Sequence, residues 1–376
     1  MSILIGADIV PLSSNFDLFE KTEIGILLGK ELQDIIENAD FRIFNLEVPL
    51  TDLETPINKH GPNLSAPTSC VHGLKAMGID LLTLANNHIL DQSTQGVLST
   101  LKTLDKFDIA HIGAGKNIFE AQEPYYKTIN ERIYGIYACA EHEFSIAEYN
   151  KPGANPFDPF ESLDQIKEIK SKCDYVIVLY HGGKELYRYP TPYLQKVCHK
   201  IIEKGADLVV CQHSHCIGCE EKYLHGTIVY GQGNFLFDKY SNDYWNSSLL
   251  ISIDDDGTVR YIPIIKESPG VRLAKKEQAI EILQDFEKRS LEIKEKNFIE
   301  KRYSDLANDC LFSYISYLSC KRNKLIFRIL NRFFPHIFHE YYMNKNVRQY
   351  KNAIINYIKC ETHRELVLKG LEDKFK

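Results

Sequence analysis

Short apolar, β-branched runs alternate with amphipathic stretches over residues 1–250. The runs "SILIGADIV", "FRIFNLEV", "DLLTLANN", "RIYGIYACA", "DYVIVLYHGG", "ADLVVCQHS" and "TIVYGQGN" have the length and branching of buried strands. Between them, "GILLGKELQDIIENAD", "GVLSTLKTLDKFD" and "PYLQKVCHKIIEKGAD" repeat apolar residues at helical spacing, and several such stretches stop at a Gly. This alternation predicts an α/β architecture in which helices cover buried sheets. "LLISIDDDGTVRYIPI" breaks the pattern, because two alternating runs flank an Asp-Gly turn and predict a β-hairpin. Near residue 270 strand signals cease, and a helix-like stretch rich in Lys, Arg, Tyr and Phe follows. The expected organisation is a main domain over 1–270 and a helical C-terminal extension over 271–376.

The polar residues that interrupt this pattern fall where strands end, which is where functional groups collect in open α/β sheets. Asp8 ends "ILIGAD", and Asn45 and Glu47 end "FRIFNLE". Asn86, Asn87 and His88 follow "LLTLA", with Asp91 three residues on. His181 follows "YVIVLY" with Glu185 beyond it; His213 and His215 follow "ADLVV"; Asn234 follows "IVYGQG". A single strand-end Asp or Asn is ordinarily a helix cap or a turn former. Repetition at successive strand ends points instead to a shared site. Imidazoles, carboxylates and an amide oxygen together suit one or two divalent transition ions (Mn, Zn or Fe) better than an all-oxygen Mg or Ca cage. In an extended segment His213 and His215, two apart, place both rings on one side.

Composition narrows the classes. A net charge of −6 argues against a dedicated nucleic-acid binder. No apolar run approaches the roughly 20 residues of a membrane span. The start "MSILIGADIV" lacks the basic and long apolar regions of a secretory signal. Ten scattered cysteines suit thiols in a reducing compartment, so a cytoplasmic location is expected.

The ordered set "GAD…NLEVPLTD…KHGPNLSAPTS…LLTLANNHILDQSTQGVLSTL…GAG…YHGGKE…GADLVVCQHSH…YGQGNFLFD" resembles the bacterial capsule-synthesis CapA/PgsA family, a branch of the calcineurin-like metallophosphoesterases, over roughly residues 1–240. The resemblance implies a four-layer α-β-β-α sandwich with a metal centre at one end of its sheets. It implies that Asp8 binds a first metal, Glu47 bridges, Asn87, His181 and His213 complete a second, and His215 returns to the first. It makes His88 the acid/base histidine, oriented by Asp91. Asn45, Glu185 and Asn234 match positions near the site, and Lys59 and His60 lie in a loop that faces substrate. The chain departs from the superfamily's Asp-x-His at Asp8-Ile9-Val10, which removes a nitrogen ligand from the first metal. "CQHSH" stands for the family's "GHHPH", and "HGG" for "HWG". Cys216 and Cys219 form a C-x-x-C pair with no second pair at zinc-finger spacing, so the histidines are expected to be the ligands and the cysteines packing.

The resemblance implies a metal-dependent, hydrolase-like enzyme acting on a poly-γ-glutamate or peptide-like amide. Peptide epimerisation, phosphoester cleavage and non-enzymatic binding of a polymer or partner protein are the alternatives. Glu185 joins His88 and His181 as a candidate proton-transfer group. Phosphoester chemistry requires cations, and Lys59, His60, Lys184 and Arg188 are the candidates. In the extension, residues 320–342 interleave Lys and Arg with Leu, Ile and Phe, a pattern suited to contact with an anionic membrane surface or to packing of the apolar face on protein.

Overall fold

The computed structural model describes residues 2–238, 243–318 and 325–348, with isolated positions from 351 to 371. Following the chain, β1 (Ser2–Val10), β2 (Phe41–Leu46), β3 (Leu81–Thr83) and β4 (Ala110–Ile112) pair side by side in parallel. Beyond a short β5 (Ala114–Gly115) the chain crosses to a second sheet with β6 (Tyr125–Ile129) and β7 (Arg132–Ala140). Past β8 (Gly153–Ala154), which pairs back onto β5, that sheet gains β9 (Tyr175–His181), β10 (Leu208–Gln212), β11 (Glu220–Tyr223) and β12 (Gly226–Tyr230). The chain then returns to the first sheet: β13 (Asn234–Phe237) pairs parallel to β1, and β14 (Ser247–Asp254), β15 (Val259–Glu267) and β16 (Gly270–Leu273) extend it antiparallel.

The strand sequences explain why the sheets stack. In β7, Tyr134, Ile136 and Ala138 join the core shared with the first sheet, while Tyr137 and Cys139 join a second core. β9 and β10 split the same way: Ile177, Leu179, Leu208 and Val210 face the first sheet, and Val176, Val178, Val209 and Cys211 face outward. Period-two alternation of residues that are apolar on both faces demands cover on both faces. The outer cover of the second sheet is the helices Glu161–Lys170 and Pro192–Glu203, through Ile166, Ile169, Val197 and Ile201. The first sheet buries Leu32, Leu74, Val97 and Leu101 from the helices Lys30–Glu37, Val71–Ala76 and Ser93–Lys106. This is the four-layer α-β-β-α sandwich that the resemblance implies. The hairpin around "DDDG" is present, closed by hydrogen bonds from Gly257 N–H to Asp254 O (2.9 Å) and from Asp254 N–H to Thr258 O (2.9 Å).

Two details differ from the sequence reading. "GILLGKELQDIIENAD" forms two helices, Ile24–Leu28 and Lys30–Glu37, because Gly29 sits between them at φ 69°. The chain divides into compact units at Met1–Glu300 and Lys301–Lys376, later than the change of character near 270. After 270 come β16 and the helix Lys276–Glu292, whose Phe286 packs on Tyr261 of β15, so this stretch belongs to the first unit. The second unit is helical, with Leu325–Phe333 and Pro335–Tyr342 meeting at a break that Pro335 imposes. Of the basic amphipathic segment 320–342, residues 320–324 lie outside the described residues.

The motif "CIGC" is explained by close packing. A Cβ on Gly218 would fall 1.6 Å from the carbonyl oxygen of Tyr230 in β12. Gly218→Ala is therefore expected to destabilise the protein by about 3 kcal/mol or more, since backbone cannot yield as a side chain does. Urea unfolding of the variant beside the parent chain measures it.

Candidate metal centre

Strand register assembles one wall of the site. Asp8 of β1 lies opposite Asn45 of β2 on one side and Asn234 of β13 on the other, so three polar residues share one level of a parallel sheet. On the facing sheet, His181 ends β9 opposite Gln212 of β10 and Ala140 of β7. Gln212 and Gln232 tie the two walls, donating to Gly6 O (3.3 Å) and Ile5 O (3.0 Å) of β1. His213 and His215 lie beyond the end of β10 at φ 78° and 53°. They are therefore not in extended backbone, and a left-handed turn brings their ring centroids within 5.9 Å. Such conformations persist where surrounding structure fixes them. Here Arg289 Nε donates to Gly218 O (2.7 Å), Arg188 Nε to Ile217 O (3.0 Å), and Glu220 N–H to Ser290 Oγ (2.8 Å).

The centre of the site holds more lone pairs than protons. His181 Nε2 lies 3.1 Å from Asn87 Oδ1, 3.2 Å from His213 Nδ1 and 3.2 Å from Glu47 Oε1. A ring nitrogen carries at most one hydrogen, so it cannot serve all of these as a donor. Both Glu47 oxygens and Asp8 Oδ2 are buried without a hydrogen-bond partner among the described residues. A cation resolves that arrangement: ligands about 2.1 Å from one ion stand roughly 3.0–3.4 Å apart in octahedral or tetrahedral geometry. Glu47, His213 and His215 also offer atoms that lie within 4.8 Å of one another. The donor set thus fits a divalent transition ion. Asn87, His181, His213 and Glu47 form the richer half. The half nearer Asp8 has Asp8, Glu47 and His215, and Val10 is buried in the apolar core.

Electrostatics follow the same division. Burial, with Glu47 adding to it, holds the Asp8 carboxyl above its usual range. Burial also opposes charge on Glu47, but His215 and His181 outweigh it and hold that carboxyl well below the usual range. Burial first, then the neighbouring His181 and His215, keeps His213 well below its ordinary value, which leaves it the neutral ring a metal requires. His215 goes the other way: burial opposes its charge, yet Glu47 and Asp8 push it up to about 9. Its Nδ1–H donates to Asn234 Oδ1 (2.8 Å) and lies 3.5 Å from Asp8 Oδ2. Those two contacts hold the ring from its Nδ1 side. Asn45 donates to Asp8 Oδ1 (2.8 Å) and receives Thr83 and Asn86 on its own oxygen, so it orients Asp8 from within the fold.

Beside this cluster, His88 Nδ1 lies 2.5 Å from Asp91 Oδ2, which also accepts the Leu64 N–H (2.6 Å). Lys59 is only 3% exposed and ion-pairs with the other Asp91 oxygen. Its place is therefore inside, binding the 55–64 loop to Asp91, rather than at a substrate-facing rim. His60 next to it is exposed. Glu185 is exposed on the loop after β9, and Lys184 reaches only its backbone carbonyl (3.3 Å); the structure does not bring the Glu185 carboxylate into the cluster. The acids that do approach are Glu141, which accepts Gly183 N–H (3.0 Å), and Glu143, whose Oε1 is 4.0 Å from His213 Nε2. Both follow β7 in "ACAEHE", a strand end of the kind that revealed the others. Cys211, Cys216 and Cys219 are free, buried thiols, and burial pushes Cys216 up to about 11. They are packed in the interior, and none of them is among the donors gathered around His181 in the described residues.

Residues 27–239 match the family described as "Bacterial capsule synthesis protein PGA_cap". The chain belongs to that family. The matched span contains Glu47, Asn87, His181, His213 and His215, and Asp8 precedes it. Among relatives of this PGA_cap protein is the "Capsule biosynthesis protein CapA" of Bacillus anthracis, 29% identical over 239 residues, covering 61% of this chain and 58% of the relative. The "PGA biosynthesis protein CapA" of Bacillus subtilis is 27% identical over 238 residues, covering 61% and 62%. The chain thus spans about three fifths of the length of these relatives. Solved structures with some likeness include a phosphatase from Mycoplasma pneumoniae (TM-score 0.43, 16% identity, 72% of this chain and 95% of that one). Another is a 5'-nucleotidase precursor from Thermus thermophilus (TM-score 0.40, 12% identity, 76% and 58%). The fold stands on the strand pairing described above.

With His215 protonated below about 9, ion binding near neutrality must expel a proton from it. Calorimetry in buffers of different ionisation enthalpy is expected to show release of about one proton, with affinity rising about tenfold per pH unit up to that value. Lys59→Met, which leaves the buried Asp91 without its counter-ion, is expected to cost about 3 kcal/mol. Glu185→Gln, at an exposed position, is expected to stay within about 0.5 kcal/mol of the parent; urea unfolding compares the two.

Proposed function

We propose that this PGA_cap protein is a metal-dependent enzyme that acts at the carbonyl of an amide-linked poly-amino acid or peptide. The lone-pair-rich cluster around His181 Nε2 carries the reading, because those groups suit ion binding and have no evident role in packing. The substrate class rests on the capsule-synthesis names of its relatives and on the resemblance to poly-γ-glutamate synthesis proteins. Glu47, Asn87, His181 and His213 would hold a divalent ion, with Asp8 and His215 as the second position, and the ion would supply Lewis-acid polarisation of a substrate oxygen.

The chain's own residues do the rest. Asp91 holds His88 by Nδ1, which leaves Nε2 to give or take a proton at the reacting group. Lys59 and the Leu64 N–H hold Asp91 in turn, so the ring is oriented from two sides. Glu143, 4.0 Å from His213 Nε2, places a carboxylate beside the cluster and disfavours a polyanionic phosphate there. Two of the cations that phosphoester chemistry would need are engaged within the protein: Lys59 by Asp91, and Arg188 by Ile217 O and the Tyr244 ring. That favours a carbonyl substrate over a phosphoester.

Metal-loaded protein is to be incubated in heavy water with poly-γ-glutamate, peptides and p-nitrophenyl phosphate esters. Amide cleavage is expected, falling at least 100-fold in His88→Gln while the metal content of that variant stays unchanged. Deuterium entering α-carbons without cleavage would assign epimerisation instead, and released phosphate would assign phosphoesterase activity. No turnover of any substrate by metal-replete protein would leave a binding role.

A further inference from the structure

The second unit carries two apolar stripes, and only one is used inside it. Phe327 and Tyr342 are buried, with ring centroids 5.3 Å apart, and Phe338 stacks edge-on to Phe327 at 4.8 Å. Ile315 and Phe312 of the preceding helix complete that small core. The second stripe runs through Ile329, Phe333, Phe334 and Ile337, which are 45, 64, 59 and 73% exposed. Helices apolar on opposite faces need cover on both. An exposed stripe of large apolar and aromatic residues this continuous marks a surface that meets something.

The charge around the stripe says what it meets. Residues 320–351 hold eight lysines and arginines against one acid, Glu340, inside a chain of net charge −6. Screening confines electrostatic attraction to about 8–10 Å, so a partner at the stripe responds to this local basic excess and not to the net charge. A second copy meeting the same patch about a twofold axis would set that excess against itself. Among the described residues no helix is long and apolar enough to cross a membrane. Short helices with aromatic apolar residues and a basic flank lie along a bilayer at headgroup depth.

We propose that Ile329, Phe333, Phe334 and Ile337 insert into the surface of an anionic bilayer, with Arg332 and Arg348 held at its phosphate headgroups. The unit then lies on the membrane and does not span it. The inference is independent of the chemistry proposed for the metal centre.

Full-length protein is floated with phosphatidylcholine vesicles, with and without phosphatidylglycerol, at low and at high salt. It is expected to float with the anionic vesicles alone, and to be released by high salt. Arg332→Gln/Arg348→Gln is expected to bind about 30-fold less, from about fivefold per basic side chain. Phe333→Ser/Phe334→Ser/Ile337→Ser is expected to lose binding, whereas Phe333→Trp keeps it. Should the serine variant fail to fold, the lipid and salt responses of the unaltered chain decide the matter. The proposal is overturned if that chain ignores anionic vesicles or binds neutral ones equally, or if the folded serine variant binds as the parent does. It is also overturned if sedimentation shows a dimer that the serine substitutions abolish, because the stripe then belongs to a second copy.

Discussion

Glu47 enters the interior with both carboxylate oxygens lacking a donor, beside an imidazole nitrogen already crowded by an amide oxygen and a second imidazole. Desolvated carboxylates and facing lone pairs are costly unless positive charge compensates them. The rest of the site is organised around that constraint. The groups that gather there come from both sheets, Asp8 from β1 and His181 from β9, so the ends of the sandwich must be held in register for them to meet. Gln212 and Gln232 join the sheets by side-chain hydrogen bonds to the β1 backbone within the same layer.

Holding the histidine turn is the harder task, because His213 and His215 both occupy left-handed backbone. The fixing groups come from far along the chain. Arg289 and Ser290, on a helix beyond the span that matches the family, bind the backbone of the turn that follows these histidines. A stretch that reads as an appendage in the sequence is therefore part of the scaffold of the candidate metal centre. The Lys59–Asp91–His88 chain does comparable work on the other side, binding a loop to the acid/base candidate by a buried ion pair. It is charge neutralisation inside the protein, and it leaves less cationic surface for a phosphate.

Two regions of opposite character result. Around the candidate metal centre, buried carboxylates and imidazoles set the local charge balance, with Glu143 beside His213. In the second unit, basic residues flank an exposed apolar stripe.

Which residues are candidates for the site was legible in the sequence, because polar residues at successive strand ends of an α/β chain have few other reasons to recur. The alternation of apolar runs and helical periods pointed to an α/β chain with covered sheets, because both-face burial leaves few arrangements; the four-layer sandwich came from the family resemblance. What the one-dimensional pattern could not hold was direction and distance. It put Lys59 at a substrate-facing rim and Glu185 among the proton-transfer groups, and it passed over Glu141 and Glu143. A loop side chain's burial depends on what packs against it from elsewhere, here Asp91 for Lys59. It read His213 and His215 as extended, because a left-handed turn leaves no periodic signal. It placed the domain change near 270, since a helix following strands looks alike whether it closes one unit or opens the next. Residue type and local period are properties of the chain; which lone pairs face one another, and which charges are paired, exist only once distant segments have packed.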